Sequence, residues 1–354
     1  MEKINVFKEF LDDEVESCEV YGNGHINDTY LVTCNNKRYI LQRINQNVFK
    51  EPEQVMHNIE KVTRFLKDKI ADSRKVLTLI QTKNKSNYYK DSLGNYWRLY
   101  NFVEDSICLD LPNSNNDFYQ AAVAFGQFQR DLTDFNVNVL FETIPNFHNT
   151  PDRYIKFLDA VEKDICNRAK DVQKEIEFVK ERKDFYSILH QKNVEGILPL
   201  RVTHNDTKIN NVMLDKDTRE PLCVIDLDTI MPGFSVTDFG DSIRFGASTA
   251  AEDEKDLDKV WMNLELIDIY AKGFIKGCGG LLTNEEILLL PEGAKMMTIE
   301  CGMRFLTDYL QGDTYFKTSY EDHNLDRCHT QFKLVYDMEK KWSQMKQIIQ
   351  NLIK

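Results

Sequence analysis

Apolar and polar positions alternate like strands over much of the chain up to Val103, then take a helical spacing over most of the remaining length. Val6 to Leu11 predicts a short helix. Glu19 to Tyr21 begins a strand. Thr29–Cys34 and Arg38–Arg43 read as strands joined by the hairpin turn Asn35-Asn36-Lys37. Between the first two strands lies the glycine-rich turn Gly22-Asn23-Gly24-His25-Ile26-Asn27-Asp28. Pro52 to Lys69 predicts a helix with Pro in its first turn and Val55, Ile59, Val62 and Leu66 as its apolar stripe. Val76–Gln81, Tyr88–Asp91 and Tyr96–Val103 read as further strands. Residues 104–116 are polar and acidic and suit a connector. From Asp117 onward the spacing predicts helices over Phe118–Asp131, Pro151–Val179, Glu181–Gln191, Ser235–Phe245, Leu257–Ile275, Asn284–Leu310 (with a break near Pro291) and Arg327–Leu352. Only one stretch interrupts them. Asn211–Asp215 and Leu222–Asp226 are short apolar runs around the polar turn Lys216–Pro221, which is a β-hairpin pattern.

The chemistry collects around that hairpin. Immediately before and along it stands His204-x-Asp206-x-Lys208-x-x-Asn211, and Asp226 follows at the end of the second run. This is the spacing of a kinase catalytic loop followed by its metal-binding aspartate. With the turn centred near Thr218, Asn211 and Asp226 face each other at the open end. One amide oxygen and one carboxylate, sharing phosphate oxygens, suit a hard cation such as Mg²⁺. Asp206, in the loop entering the hairpin, is placed to accept the proton of an incoming hydroxyl. Lys208 is placed to offset charge on the moving phosphoryl group, or to orient Asp206.

A nucleotide needs a cradle, and the glycine-rich turn offers one. Gly22 and Gly24 leave backbone N–H groups unobstructed, and Asn27 stands where a third glycine is expected. Phe102 and Val103 lead into the connector, where backbone groups would read adenine. The usual phosphate-holding strand lysine is missing. Gln42 occupies its place and Arg43 follows. Either Arg43 turns in to substitute or another residue fills the role. No Gly-x-x-x-x-Gly-Lys-Ser/Thr occurs, which argues against a P-loop enzyme.

The net charge of −12 argues against a nucleic-acid or anionic-membrane partner. The eight cysteines form no Cys-x-x-Cys, so reduced thiols are expected. The start is charged and no apolar run reaches bilayer length, so the expected location is the cytoplasm. The length of 354 residues suits two lobes, divided as 1–103 for the nucleotide, 104–116 as connector and 117–354 for catalysis and substrate.

His204-Asn-Asp206 with Asn211, then Ile225-Asp226-Leu-Asp228, resembles the aminoglycoside phosphotransferase and choline kinase group. That resemblance implies an α+β, protein-kinase-like two-lobe fold, with a small antiparallel sheet lobe and a large, mostly helical lobe. Within the group, three segments look like the N-acetylhexosamine 1-kinases: residues 22–30, 204–211 and 224–233. A fourth, Glu300 to Tyr315, resembles them too. The resemblance implies ATP and Mg²⁺ as cofactors and transfer of the γ-phosphoryl group to the anomeric hydroxyl of N-acetylglucosamine or N-acetylgalactosamine. Asp206 would be the base and Asn211 and Asp226 the metal ligands. Thr229, Arg304 and Tyr315 would line the sugar pocket, and His25 would reach substrate or phosphate. Two other functions compete. One is a kinase of the same fold acting on a cationic amino alcohol (an aminoglycoside, choline or ethanolamine), with Asp228, Asp238 and Asp241 binding ammonium groups. The other is a nucleotide-binding module without catalysis.

Overall fold

The computed structural model describes residues 2–22, 26–35 and 37–353. In chain order its main elements are α1 (Glu2–Lys8), β1 (Ser17–Val20), β2 (Asp28–Cys34), β3 (Lys37–Arg43), α2 (Pro52–Lys69), β4 (Leu79–Ile80), β5 (Tyr89–Lys90), β6 (Tyr96–Asn101), β7 (Ser106–Cys108), α3 (Asn115–Asp131), α4 (Thr150–Lys163), α5 (Gln173–Lys180), α6 (Ile188–Val194), β8 (Arg201–Thr203), β9 (Val212–Asp215), β10 (Pro221–Val224), α7 (Ser235–Gly246), α8 (Leu264–Cys278), α9 (Asn284–Leu288), α10 (Leu290–Leu310), α11 (His323–Lys340) and α12 (Trp342–Gln350). They group into two compact units, each discontinuous in sequence.

The first unit comprises Met1–Cys108, Asp131–Pro145 and Asn211–Pro232. Its main sheet is antiparallel, ordered β1-β2-β3-β6-β4, with β5 on β6. Side chains on a strand alternate between faces. One face therefore buries Val32, Tyr39, Leu41 and Leu99 with Phe7 and Phe10 from the N-terminal segment. In the register of β3 and β6, Gln42 lies opposite Arg98 and Arg43 opposite Trp97. A second sheet, β10-β9-β7, belongs to the same unit. It includes a strand inside the stretch that composition reads as connector. Helix α2 spans the expected residues, and its buried Asn58 donates to the carbonyls of Phe141 and Ile230 at 2.8 and 2.9 Å.

The second unit comprises Leu109–Arg130, Asn146–Asn210 and Gly233–Lys354, and is mostly helical. Helices α7 and α10 approach at a glycine pair. A Cβ on Gly240 would lie 2.3 Å from the Gly293 carbonyl oxygen, and one on Gly293 would lie 2.0 Å from that of Val236. Any larger residue would push the helices apart. The helix expected over 151–179 is in fact broken. Asp164 takes a left-handed conformation, and its carboxylate accepts from the backbone N–H groups of Arg168 and Ala169. That local cap ends α4, and α5 starts anew. The expected break near Pro291 occurs at Leu289, with Pro291 in the first turn of α10. Among the described residues no helix is long and apolar enough to cross a membrane. All eight cysteines are free thiols.

Candidate active site

In the helical unit, Thr203 to Asn210 leaves β8 as an irregular loop, and its backbone is held from below by two acids one helical turn apart on α7. Asp238 accepts from the N–H groups of His204 and Asn205 at 2.9 and 2.8 Å and from the Gln129 side chain at 2.7 Å. Asp241 accepts from the Thr207 N–H at 3.1 Å and pairs with Arg244 at 3.0 Å. The Thr207 hydroxyl donates to the Asp238 carbonyl, and its own carbonyl accepts from Ser242. These bonds let Asn205 hold a positive φ of 64°, a conformation that side-chain-bearing residues take only when their surroundings impose it. Burial pushes the Asp238 carboxyl up, against the pull of the amides it accepts from. Burial acts on Asp241 in the same direction, but Arg244 and Lys208 outweigh it and hold that carboxyl down.

His204 is fully buried, its ring edge-on to Phe125 at 5.5 Å, and its Nδ1 faces the Asp206 N–H at 3.3 Å. Asp206 by contrast keeps 31% of its side chain exposed and lies 3.1 Å from the Lys208 ammonium. That carboxylate raises the lysine's pKa, so Lys208 is a cation at neutral pH.

The opposite side of the loop leads to Arg304. His148 Nε2 meets the Asn205 carbonyl at 3.2 Å and Nδ1 meets Glu300 at 2.9 Å. Thr150 donates to the second Glu300 oxygen at 2.6 Å. One turn along α10 stands Arg304. Its guanidinium lies 5.4 to 5.7 Å from the ring centres of Phe147, Tyr315 and Phe316, with Nη2 3.5 Å from the Tyr315 hydroxyl. Asp308, a further turn on, is buried and accepts from the N–H groups of Thr314, Tyr315 and Phe316 at 2.8 to 2.9 Å. It folds the segment after α10 back over Arg304. Tyr315 is 63% exposed. The result is an open cationic and aromatic patch joined through His148 to the residue before Asp206.

In the sheet unit, Val212 pairs with Val224 and the Ile225 N–H donates to the Asn211 carbonyl at 2.9 Å. Asn211 and the Ile225–Asp226 step therefore share the open end of the hairpin. Asp226 is exposed and left-handed, with φ 57°. Asn211 is buried. An amide and a carboxylate oxygen at one hairpin end fit a hard cation that takes its remaining ligands from phosphate and water. Among the described residues no group of three or more His, Cys, Asp or Glu side chains gathers as a metal site. Thr229 is half-buried in the turn after Asp226.

Arg43 faces outward and pairs with Asp28, its Nε at 2.7 Å. Gln42 donates to Thr29 at 3.0 Å and accepts from Arg98 Nε at 2.9 Å. Arg98, 1% exposed, holds Asp228 with both terminal nitrogens. The cation near the vacant lysine position thus comes from the neighbouring strand. No local motif marks it; only the pairing of β3 with β6 does. Gly22 has φ 75° and open space where a Cβ would go, whereas Gly24 and His25 lie outside the described residues. Asn27 bridges Asp228, at 2.6 Å, and the Asn45 N–H, at 3.0 Å. The Phe102 N–H donates to the Arg38 carbonyl, and the Val103 carbonyl accepts from Ser106. Asp228, Asp238 and Asp241 are all buried and bonded to protein groups, so these three acids do not offer an open ammonium site.

Comparison with known proteins agrees with this frame. The sequence model of the phosphotransferase enzyme family (APH) matches residues 17–260. A microcompartment-associated aminopropanol kinase superposes with a TM-score of 0.62 at 14% identity, covering 97% of each chain. An aminoglycoside phosphotransferase from Alicyclobacillus acidocaldarius gives 0.65 at 10% identity, covering 99% of this chain and 96% of that one. A spectinomycin phosphotransferase solved with ADP and spectinomycin gives 0.55 at 13% identity, covering 94% and 98%. At these identities the structures share the fold.

Proposed function

This chain belongs to the APH phosphotransferase family, and we propose that within it the chain is an ATP-dependent kinase of N-acetylhexosamines, phosphorylating the anomeric hydroxyl. The observation that carries the substrate class is the Arg304 patch. A guanidinium framed by Phe147, Tyr315 and Phe316 repels an ammonium-bearing acceptor and suits a neutral one. Its N–H donors fit ring hydroxyls or an acetamido carbonyl, and the exposed Tyr315 ring supplies a flat face for a sugar.

Asp206 takes the proton of the acceptor hydroxyl as that oxygen attacks the γ-phosphorus. The bond to the β,γ-bridging oxygen breaks and ADP leaves with its electron pair. Lys208 keeps the Asp206 carboxylate oriented, and its charge is available to the transferring group. Asn211 and Asp226 would hold Mg²⁺, which neutralises charge on the phosphate oxygens. Asp238 and Asp241 keep the loop backbone in place throughout.

A panel of N-acetylglucosamine, N-acetylgalactosamine, aminopropanol, ethanolamine and kanamycin with Mg²⁺-ATP tests this, with ³¹P and ¹H NMR reading the phosphorylated position. The expected product is the sugar 1-phosphate. Turnover confined to the amino alcohols would replace the sugar reading with the second one, which the aminopropanol kinase fold neighbour favours.

A further inference from the structure

The Gln42–Arg98–Asp228–Asn27 chain has no part in the transfer steps, yet Arg98 and Asp228 form a deeply buried ion pair of the sheet unit, 1% and 3% exposed. Arg98 has its Nε on Gln42 and its two terminal nitrogens on Asp228, so its donors point at protein. Burial alone would drive its proton off. Asp228 chiefly, with Tyr100 and Asp226 adding to it, more than reverses that and keeps the guanidinium charged. Asp226 is therefore within electrostatic reach of the same cation.

Asp228 is in turn placed by chain geometry two residues after Asp226, in the turn Leu227–Thr229. Asp226 is left-handed, a conformation costing roughly 1–2 kcal/mol per residue unless its neighbours fix it. Clamping Asp228 onto β6 does fix it. The second Asp228 partner is Asn27, which closes the glycine-rich turn and holds the Asn45 N–H at the same time. A single buried carboxylate thus ties the strand, the end of the phosphate turn and the exit of the hairpin.

We infer that Arg98 and Asp228 are a positioning pair for Asp226, aligning the metal-binding carboxylate with Asn27 on the neighbouring loop. The pair grips neither the phosphates nor the acceptor. This rests on Asp226 being a metal ligand in the proposed kinase. Outer partners of this kind typically set metal affinity by about 10–100-fold when removed.

The test is Mn²⁺ affinity measured by EPR on the full chain in the presence of a non-hydrolysable ATP analogue. Metal-free ADP affinity by calorimetry and separate KM values for ATP and acceptor accompany it. Asp228→Asn keeps the shape and removes the charge; Arg98→Lys keeps the charge and removes the fork. Both should weaken Mn²⁺ binding and raise the KM for Mg²⁺-ATP at least about 10-fold, with the acceptor KM and metal-free ADP affinity held within about twofold. The double variant Arg98→Gln with Asp228→Asn restores a neutral hydrogen-bonded pair. It should regain thermal stability over Arg98→Gln alone while staying weak for Mn²⁺. Weaker metal-free ADP binding in Arg98→Lys would make it a phosphate ligand and overturn the inference. So would a lower melting temperature with unchanged Mn²⁺ affinity, which is what a purely structural pair gives. Asp226→Ala separates the layers. If it leaves Mn²⁺ binding intact, the metal site itself falls; if it abolishes binding while Asp228→Asn does not, only the positioning role falls.

Discussion

Two regions of this molecule solve the same problem with different chain economy. Around Asp206, the acid proposed as base is partly exposed, and the acids that fix its loop, Asp238 and Asp241, arrive more than thirty residues later on α7. Around Asp226 the exposed acid and its holder, Asp228, are two residues apart, and the counter-charge Arg98 comes from a distant strand. In both, the buried carboxylates are bonded to backbone N–H groups or a guanidinium, and one acid stays accessible to solvent. Burial therefore separates the acids that hold backbone or a guanidinium from the acid that stays accessible, because a carboxylate out of water must be fully bonded.

The sharpest way to break that division is to neutralise an accessible acid. Asp206→Asn should lower kcat by about 10²–10⁴-fold while ADP affinity, followed by calorimetry, stays near that of the wild type. Retained activity would remove Asp206 from the role of base. Next comes a buried holder. Asp238→Ala strands the N–H groups of His204 and Asn205 in the interior. Chemical denaturation should show a loss on the order of 3 kcal/mol, with Asp238→Asn losing less because one oxygen still accepts. A stability equal to wild type would mean the loop holds its shape without the acid.

A smaller effect is expected at the patch. Arg304→Leu should raise the acceptor KM roughly 10-fold with the ATP KM unchanged, as steady-state kinetics on N-acetylglucosamine can show. The reverse split would move Arg304 out of the acceptor site. The smallest effect concerns Glu300. Its burial favours the protonated form, but the hydrogen bond and charge of His148, the Thr150 hydroxyl and Arg304 prevail, so its pKa lies below the ordinary 4.5. Such a depressed carboxyl contributes stability that is complete above 4.5 and is lost as pH falls through its folded-state value. Thermal melts taken from about pH 6 downward should drop more steeply for the wild type than for Glu300→Gln. Parallel curves would remove the coupling between His148 and α10.

The polar loop from Thr203 to Asn210 and the hairpin end shared by Asn211 and Asp226 were legible in the chain because their identities lie at fixed short offsets. The α2 boundaries and the strand pairing of β2 and β3 were legible for a similar reason, local periodicity and turn chemistry. The helix over 151–179 was misread because the apolar stripe continues past Asp164, and only the carboxylate cap on Arg168 and Ala169 ends it. Arg98 was invisible in the same sense. Within Tyr96–Val103 it looks like one polar residue of an ordinary strand, with nothing beside it to signal a buried ion pair.

By itself, then, the sequence determined the family and its phosphoryl-transfer chemistry and marked candidate residues for it, since groups suited to proton acceptance and cation binding lie close together along the chain. The tertiary structure alone decided which acids are reserved for holding the backbone. It also placed a strand-borne arginine beside the vacant lysine position and set Arg304 among three aromatic rings. Those outcomes depend on partners from 11 to well over a hundred residues away, as in Arg304 with Tyr315 or Arg98 with Asp228. Burial, which no short window of sequence can report, fixes which charges are enclosed by protein partners and which stay accessible to solvent.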